Sequence, residues 1–160
     1  MEQDLDGTFD LTTTAIELAV QGISIFPCRS SGRSKTPYIK FTKEATTDIP
    51  TIKAWWKRWP SALIAIPTGK INGITVLDID KKNGVDGFQT LRQLGIDIDA
   101  ISGLHLKTPS GGRHIYFEYS SSEKNSAGKL GPGLDVRNDG GYVIFAGEIP
   151  GQGRYEMVRP

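Results

Sequence analysis

The sequence predicts an α+β fold built on a mixed, largely antiparallel sheet. Three observations carry this. Helical and strand patterns are interspersed along the chain. Successive strand patterns are joined by short turn sequences: Pro109-Ser110-Gly111-Gly112 suits a hairpin, and Asn138-Asp139-Gly140-Gly141 is a further turn signal. A chain of 160 residues with 38% hydrophobic and 23% charged content fits one folded domain with a substantial core.

The elements follow in order. Met1 to Leu11 reads as a loose end, residues 1–11 being a flexible N-terminus. Thr12-Thr13-Thr14 offers an N-cap, with Thr14 and Glu17 at capping-box spacing. Ala15 to Val20 then forms a short apolar helix stopped by Gly22. Ile23 to Pro27 is a strand, and Arg29 to Lys40 a loop carrying Arg29, Arg33, Lys35 and Lys40. Asp48 caps the next helix, with Pro50 in its first turn. That helix bears Ile52, Trp55, Trp56 and Trp59 and ends before Pro60; helical spacing assigns the tryptophans to packing rather than to base stacking. Ala62 to Ile66 is a strand, Asn83-Gly84 a turn, and Asp86 opens a helix closed by Gly95. Leu104–Thr108 and Arg113–Tyr119 pair as a hairpin. Ser120 to Lys129 is polar and is expected to be mobile. Leu134 to Arg137, Tyr142 to Ala146 and Tyr155 to Val158 are further extended segments.

Composition narrows the function classes. No apolar run approaches the ~18 residues of a membrane span, and Met1 to Asp10 is too acidic and polar for a secretory signal. A lone Cys28 cannot form an internal disulfide, which fits a reducing cytoplasm and a small core residue. The expected location is therefore cytoplasmic, with no membrane partner. A net charge of +1 announces no nucleic-acid partner in bulk, so any basic surface must be local. One Cys and two His residues cannot supply a usual zinc ligand set. A Walker A loop is absent, and Ser110 lacks a nucleophile elbow.

The functional reading centres on Gly73-Ile74-Thr75-Val76-Leu77-Asp78-Ile79-Asp80. Period-two alternation puts Ile74, Val76, Asp78 and Asp80 on one face of this strand. Two carboxylates roughly 6–7 Å apart at its end either bind a hard cation such as Mg²⁺ or Mn²⁺, or mark a strand running out into a polar loop. His114 follows a Ser-Gly-Gly turn and shares a face with Tyr116 and Glu118, while Ile115 and Phe117 take the other. Such a turn either cradles a phosphate or is an ordinary hairpin end. In Leu134-Asp135-Val136-Arg137 the apolar pair goes inward, leaving Asp135 as a third carboxylate and Arg137 as a phosphate donor, or as a surface charge pair. Lys35 offers a further phosphate or template contact. His105 has no such context and reads as structural. Three carboxylates, a His beside a glycine turn and an Arg suit two-metal phosphoryl or nucleotidyl transfer.

These pieces together resemble the bifunctional primase/polymerase (prim-pol) domain of the archaeo-eukaryotic primase superfamily, of phage and plasmid replication type. The acid-x-acid motif after an apolar strand matches Val76 to Asp80. The small-x-His motif matches Ser110-Gly111-Gly112-Arg113-His114, with Gly112 where a Ser is frequent in the superfamily. The apolar-Asp element matches Leu130 to Arg137. Outlying matches are Lys35-x-Pro37, Ala45-Thr46-Thr47-Asp48, Trp55-Trp56 and Thr68-Gly69. The resemblance implies a catalytic core over residues 12–160, with an RRM-like mixed sheet, an accessory αβ unit and an active-site cleft between them. It implies that this core belongs to a longer replication protein, with a helicase domain downstream. The implied activity is DNA primase and DNA polymerase chemistry by two divalent ions, Mg²⁺ or Mn²⁺. Nucleoside triphosphates would be the substrate and single-stranded DNA the template. Asp78, Asp80 and Asp135 would be catalytic and hold the metals. Ser110, Gly111, His114, Arg137 and Lys35 would bind the nucleotide. A metal-dependent nuclease and a non-catalytic single-stranded-DNA-binding module are the alternatives.

Overall fold

The computed structural model describes residues 11–31 and 35–159. Their elements, in chain order, are α1 (Thr12–Val20), β1 (Phe26–Cys28), α2 (Phe41–Glu44), α3 (Ile49–Arg58), β2 (Leu63–Pro67), β3 (Ile74–Ile79), β4 (Lys81–Lys82), β5 (Val85–Asp86) and α4 (Gly87–Gln93). A 3₁₀ turn (Ile98–Ala100) precedes β6 (Leu104–Lys107), β7 (Arg113–Glu118), β8 (Ser126–Ala127), β9 (Leu134–Arg137), β10 (Tyr142–Ala146), β11 (Glu148–Ile149), β12 (Gly153–Arg154) and β13 (Glu156–Arg159). The α+β class stands, and every pairing among these strands is antiparallel. None of the described helices is long and apolar enough to cross a membrane.

The chain divides into two compact units. The first takes the described residues up to Pro67 together with Tyr142–Arg154. Its sheet has the order β1-β2-β10. The central strand β2 is buried along its whole length, so both its faces carry apolar side chains, Leu63-Ile64-Ala65-Ile66. Helix α3 starts as its sequence demands: Asp48 accepts a hydrogen bond from the Thr51 amide, and Pro50 occupies the first turn. Ile52 and Trp56 are its buried residues, and the Trp56 indole donates to the Ala62 carbonyl at 3.1 Å. Helix α1 ends in a Schellman motif, the Ile23 amide reaching the Leu18 carbonyl and the Gly22 amide that of Ala19, with Gly22 at φ 85°. Its start differs from expectation. Leu11, not a threonine, is the capping residue, with no side-chain cap bond, so Thr14 and Glu17 lie inside the helix. Leu11 is buried; the rest of the expected loose end, residues 1–10, lies outside the described residues.

The second unit comprises Thr68–Gly141 and the residues from Tyr155 onward. Its six-stranded sheet has the order β13-β6-β7-β3-β9-β8. One face packs Ile79, Ile115 and Leu134 against Leu91 of α4, with Leu77, Phe88, Ile98 and Ile101 around them. Asp86 begins α4 by accepting from the amides of Phe88 and Gln89, and Gly95 closes it at φ 76°. His105, fully buried, bonds the Ile101 carbonyl through Nε2 and lies 3.3 Å from Arg113 through Nδ1, the structural role expected of it.

Residues 120–129, expected to be mobile, are tied down. Asn138 is fully buried, and its side-chain amide donates to the carbonyls of Ser120 and Glu123, both at 2.8 Å. Its backbone amide donates to the Asn125 side chain, and β8 pairs with β9. Buried polar groups demand partners, and this segment supplies them.

Candidate functional site

Register builds the site. In the second unit, Asp78 of β3 lies opposite His114 of β7 on one side and Asp135 of β9 on the other. Cross-strand partners point to the same face, so one row across three strands reads His114–Asp78–Asp135. The adjacent row is Tyr116–Val76–Arg137. Both rows lie opposite the face carrying Ile79, Ile115 and Leu134, because alternation sends odd and even positions of β3 to opposite sides.

Asp80 stands one residue past β3. Its amide donates to the Gly133 carbonyl and its own carbonyl accepts from the Gly87 amide, each at 2.8 Å. Backbones approach so closely that a Cβ at Gly87 would strike the Gly133 carbonyl, and one at Gly133, itself at φ 80°, would strike the Gly87 amide. Glycine at both positions is thus what allows Asp80 to turn back toward its neighbours. One carboxylate oxygen each from Asp78, Asp80 and Asp135 lies within 4.8 Å of the others.

The charges around this triad are ordered. Arg137 Nη2 is 3.3 Å from Asp135 Oδ2 and 3.7 Å from Asp78 Oδ2. His114 Nε2 is 3.3 Å from Asp78 Oδ1. The Gly128 amide donates to Asp135 Oδ1 at 2.9 Å. Asp80 has no ion pair or hydrogen bond at its carboxylate among the described residues. Its burial, and then the Asp78 carboxylate, hold its pKa above the usual range, with Asp135 adding to the rise and Lys82 and His114 opposing it. An acid held up by two like charges is a group that a cation would stabilise. Asp78, Asp80 and Asp135 together form an all-oxygen donor set that fits a hard divalent ion.

The remaining candidates fall in different places. Ser110 and Gly111 sit in the exposed turn between β6 and β7, with Gly111 at φ 89°. The turn does not offer its glycine amides outward. The Gly111 amide donates to the Thr108 carbonyl and the Gly112 amide to the Thr108 hydroxyl, each at 3.0 Å. What remains for a ligand is the Ser110 hydroxyl, 3.3 Å from that of Thr108, and the open surface of Gly111. Gly112 has a separate constraint: a Cβ there would meet the Ile79 carbonyl. Lys35 belongs to the first unit, where its carbonyl accepts from the Tyr142 hydroxyl at 2.8 Å. Cys28 is buried, and that burial pushes its thiol up to about 12 against the pull of Arg29 and Lys35, as befits a packing residue.

Four contributors escaped the sequence reading. Gly87 and Gly133 shape Asp80; Gly128 orients Asp135; Tyr155 lies with its ring 6.1 Å from that of His114. For Gly133 the signal was present, a glycine two residues before Asp135 in a turn. The Tyr155 contact follows from β13 pairing with β6, and no local pattern foretells it.

A family model described as bifunctional DNA primase/polymerase, N-terminal, matches residues 15–160. No curated protein matches the chain.

Proposed function

We propose, since this chain belongs to the bifunctional DNA primase/polymerase N-terminal family, that Asp78, Asp80 and Asp135 form its nucleotidyl-transfer centre. Primase/polymerase-type nucleotidyl transfer is the chemistry of that family. The finer reading is a polymerase acting on a single-stranded DNA template with Mg²⁺ or Mn²⁺, within a core spanning residues 12–160. The observation that carries it is the convergence of three carboxylate oxygens within 4.8 Å on the polar face of β3 and β9.

Two divalent ions bound there would lower the pKa of an attacking 3′-hydroxyl and neutralise the leaving pyrophosphate. The protein's own share is positioning. Asp78 is set by its place between β7 and β9, Asp135 by the Gly128 amide, and Asp80 by its backbone bonds to Gly133 and Gly87. Arg137 supplies a fixed guanidinium beside two of the acids, suited to an incoming triphosphate. His114 would add a donor through Nε2, and Ser110 a hydroxyl from a turn whose Gly111 leaves room for the nucleotide. Lys35 is assigned to the nucleotide or template. Oriented donors of this kind stabilise charge as it develops in the transition state.

The test is extension of primed and unprimed single-stranded templates with ribo- and deoxynucleotides, in Mg²⁺ and in Mn²⁺, by wild type, Asp78→Ala and Asp135→Ala. Wild type should incorporate nucleotide and both variants should not. DNA cleavage without nucleotide by the wild type would indicate a nuclease instead. Undiminished template binding by all variants, with no incorporation by any, would indicate a binding module.

A further inference from the structure

In the first unit, which also carries Lys35, four side chains form a continuous stack. The Arg29 guanidinium lies over the Tyr38 ring at 4.5 Å. Tyr38 stacks on Trp59 at 4.4 Å with an interplanar angle of 12°. The Arg58 guanidinium lies over Trp59 at 4.8 Å. Arg29 is anchored further by donating to the Pro37 carbonyl at 2.9 Å and to the Thr36 hydroxyl at 3.3 Å. Both arginines are exposed, and among the described residues no carboxylate pairs with either.

Charge points the same way independently. The described residues within 29–58 hold seven Lys and Arg against two acids, Glu44 and Asp48, a local excess of five positive charges. The whole chain carries only +1. A guanidinium lying over an aromatic face is held by the ring and leaves its other plane and its unbonded N–H groups to a ligand; in Arg29 it is Nη1 that the Thr36 hydroxyl and Pro37 carbonyl engage. Planes of that kind stack on unpaired bases, while the N–H edges and the surrounding lysines suit phosphates. A duplex buries its base faces and could use only the charge.

We propose that the Arg29–Tyr38–Trp59–Arg58 stack is a binding surface for single-stranded nucleic acid, contacting bases through the two guanidinium planes and phosphates through their edges. The proposal rests on the nucleic-acid reading above and adds a site to it. Trp59 serves it as a support for Arg58, not as a bare stacking platform.

The experiment is fluorescence anisotropy of the full chain with a labelled oligothymidylate of about 15 nucleotides and with a duplex of equal length, across a salt series. EDTA is present and nucleotide is omitted, so that neither metal nor catalysis enters. The Arg29→Gln/Arg58→Gln variant should bind the single strand about tenfold more weakly. Its slope of log affinity on log salt should fall by about 1.4, as expected for two lost phosphate contacts. The duplex should lose less. Arg29→Lys/Arg58→Lys, which keeps charge without the plane, should recover the slope but not the affinity. Unchanged single-strand affinity in the Gln variant, with an unchanged circular dichroism melt, overturns the proposal. So does equal loss for duplex and single strand, or full recovery by lysine. The two readings fail separately. A protein that incorporates no nucleotide yet shows these shifts keeps the surface and loses the polymerase. One that polymerises with binding unchanged keeps the polymerase and loses the surface.

Discussion

Replacing Asp80 by Asn should make the metal-free protein more stable, and this follows from the crowding of the triad. Carboxylate oxygens of Asp78, Asp80 and Asp135 lie within 4.8 Å of one another. At an effective dielectric near 20, unit charges that far apart repel by roughly 3 kcal/mol, and in bulk water by roughly 1 kcal/mol. Arg137 already compensates Asp78 and Asp135, whereas Asp80 has no such partner among the described residues. Removing its charge should therefore return about 1–3 kcal/mol. For a chain of this size each kcal/mol moves the melting temperature by about 2–4 °C. The pH dependence has a definite sign. A carboxyl whose folded pKa is raised costs stability above that pKa and ceases to cost it as pH falls and the group protonates in the folded state. The advantage of Asp80→Asn should be full at pH 7 and shrink as pH falls through the raised pKa of the Asp80 carboxyl. Adding Mg²⁺ or Mn²⁺ should then reverse the order, because an ion at a thousand times its dissociation constant adds about 4.1 kcal/mol to the wild type alone. Differential scanning calorimetry of both proteins in EDTA and in metal, over a pH series descending from 7, reads all of this. A variant that melts lower than wild type in EDTA, or gains as much from metal, would refute the reasoning.

Four further outcomes are expected. His114→Ala should weaken nucleotide binding about ten- to a hundredfold, the loss of a hydrogen bond to a charged group, with DNA affinity little changed; separate titrations with nucleotide and with labelled DNA measure the two. Gly112→Ser should destabilise by about 1–3 kcal/mol in urea unfolding, because its Cβ would press on the Ile79 carbonyl; a neutral result would mean that the turn relaxes. Asn138→Ala should cost about 2–4 kcal/mol by leaving the Ser120 and Glu123 carbonyls without their donor, and amide exchange should rise first across residues 120–128. Cys28, with a thiol near 12, should have only about one part in ten thousand as thiolate at pH 8; a disulfide reagent should modify it in urea and not in buffer.

Local chemistry made several of these features readable in advance. Asp48 and Asp86 announced helix starts because a short carboxylate can accept from the amides of the first turn. Alternation along Ile74–Ile79 and Leu134–Arg137 put Asp78 and Asp135 on the face opposite Leu77, Ile79, Leu134 and Val136, and both strands fold that way. Long-range pairing was not readable. Nothing near Tyr155 says that β13 joins β6, and nothing near Ser120 says that Asn138, far along the chain, will recruit its carbonyl. The Thr14–Glu17 spacing misled because a buried Leu11 starts the helix one turn earlier. The glycine turn before His114 left two readings open, a phosphate cradle or an ordinary hairpin end, and the Thr108 side chain and carbonyl take its glycine amides.

The row His114–Asp78–Asp135 has a bearing on quality control. At the end of β3, Asp78 faces one side and Leu77 and Ile79 the other. A slip of one residue against β7 and β9 would carry that acid into the apolar layer and eject its packing. Misaligned sheets are thus excluded by the same burial that holds the fold together. A preparation of this protein should contain no population that is folded yet out of register at the triad.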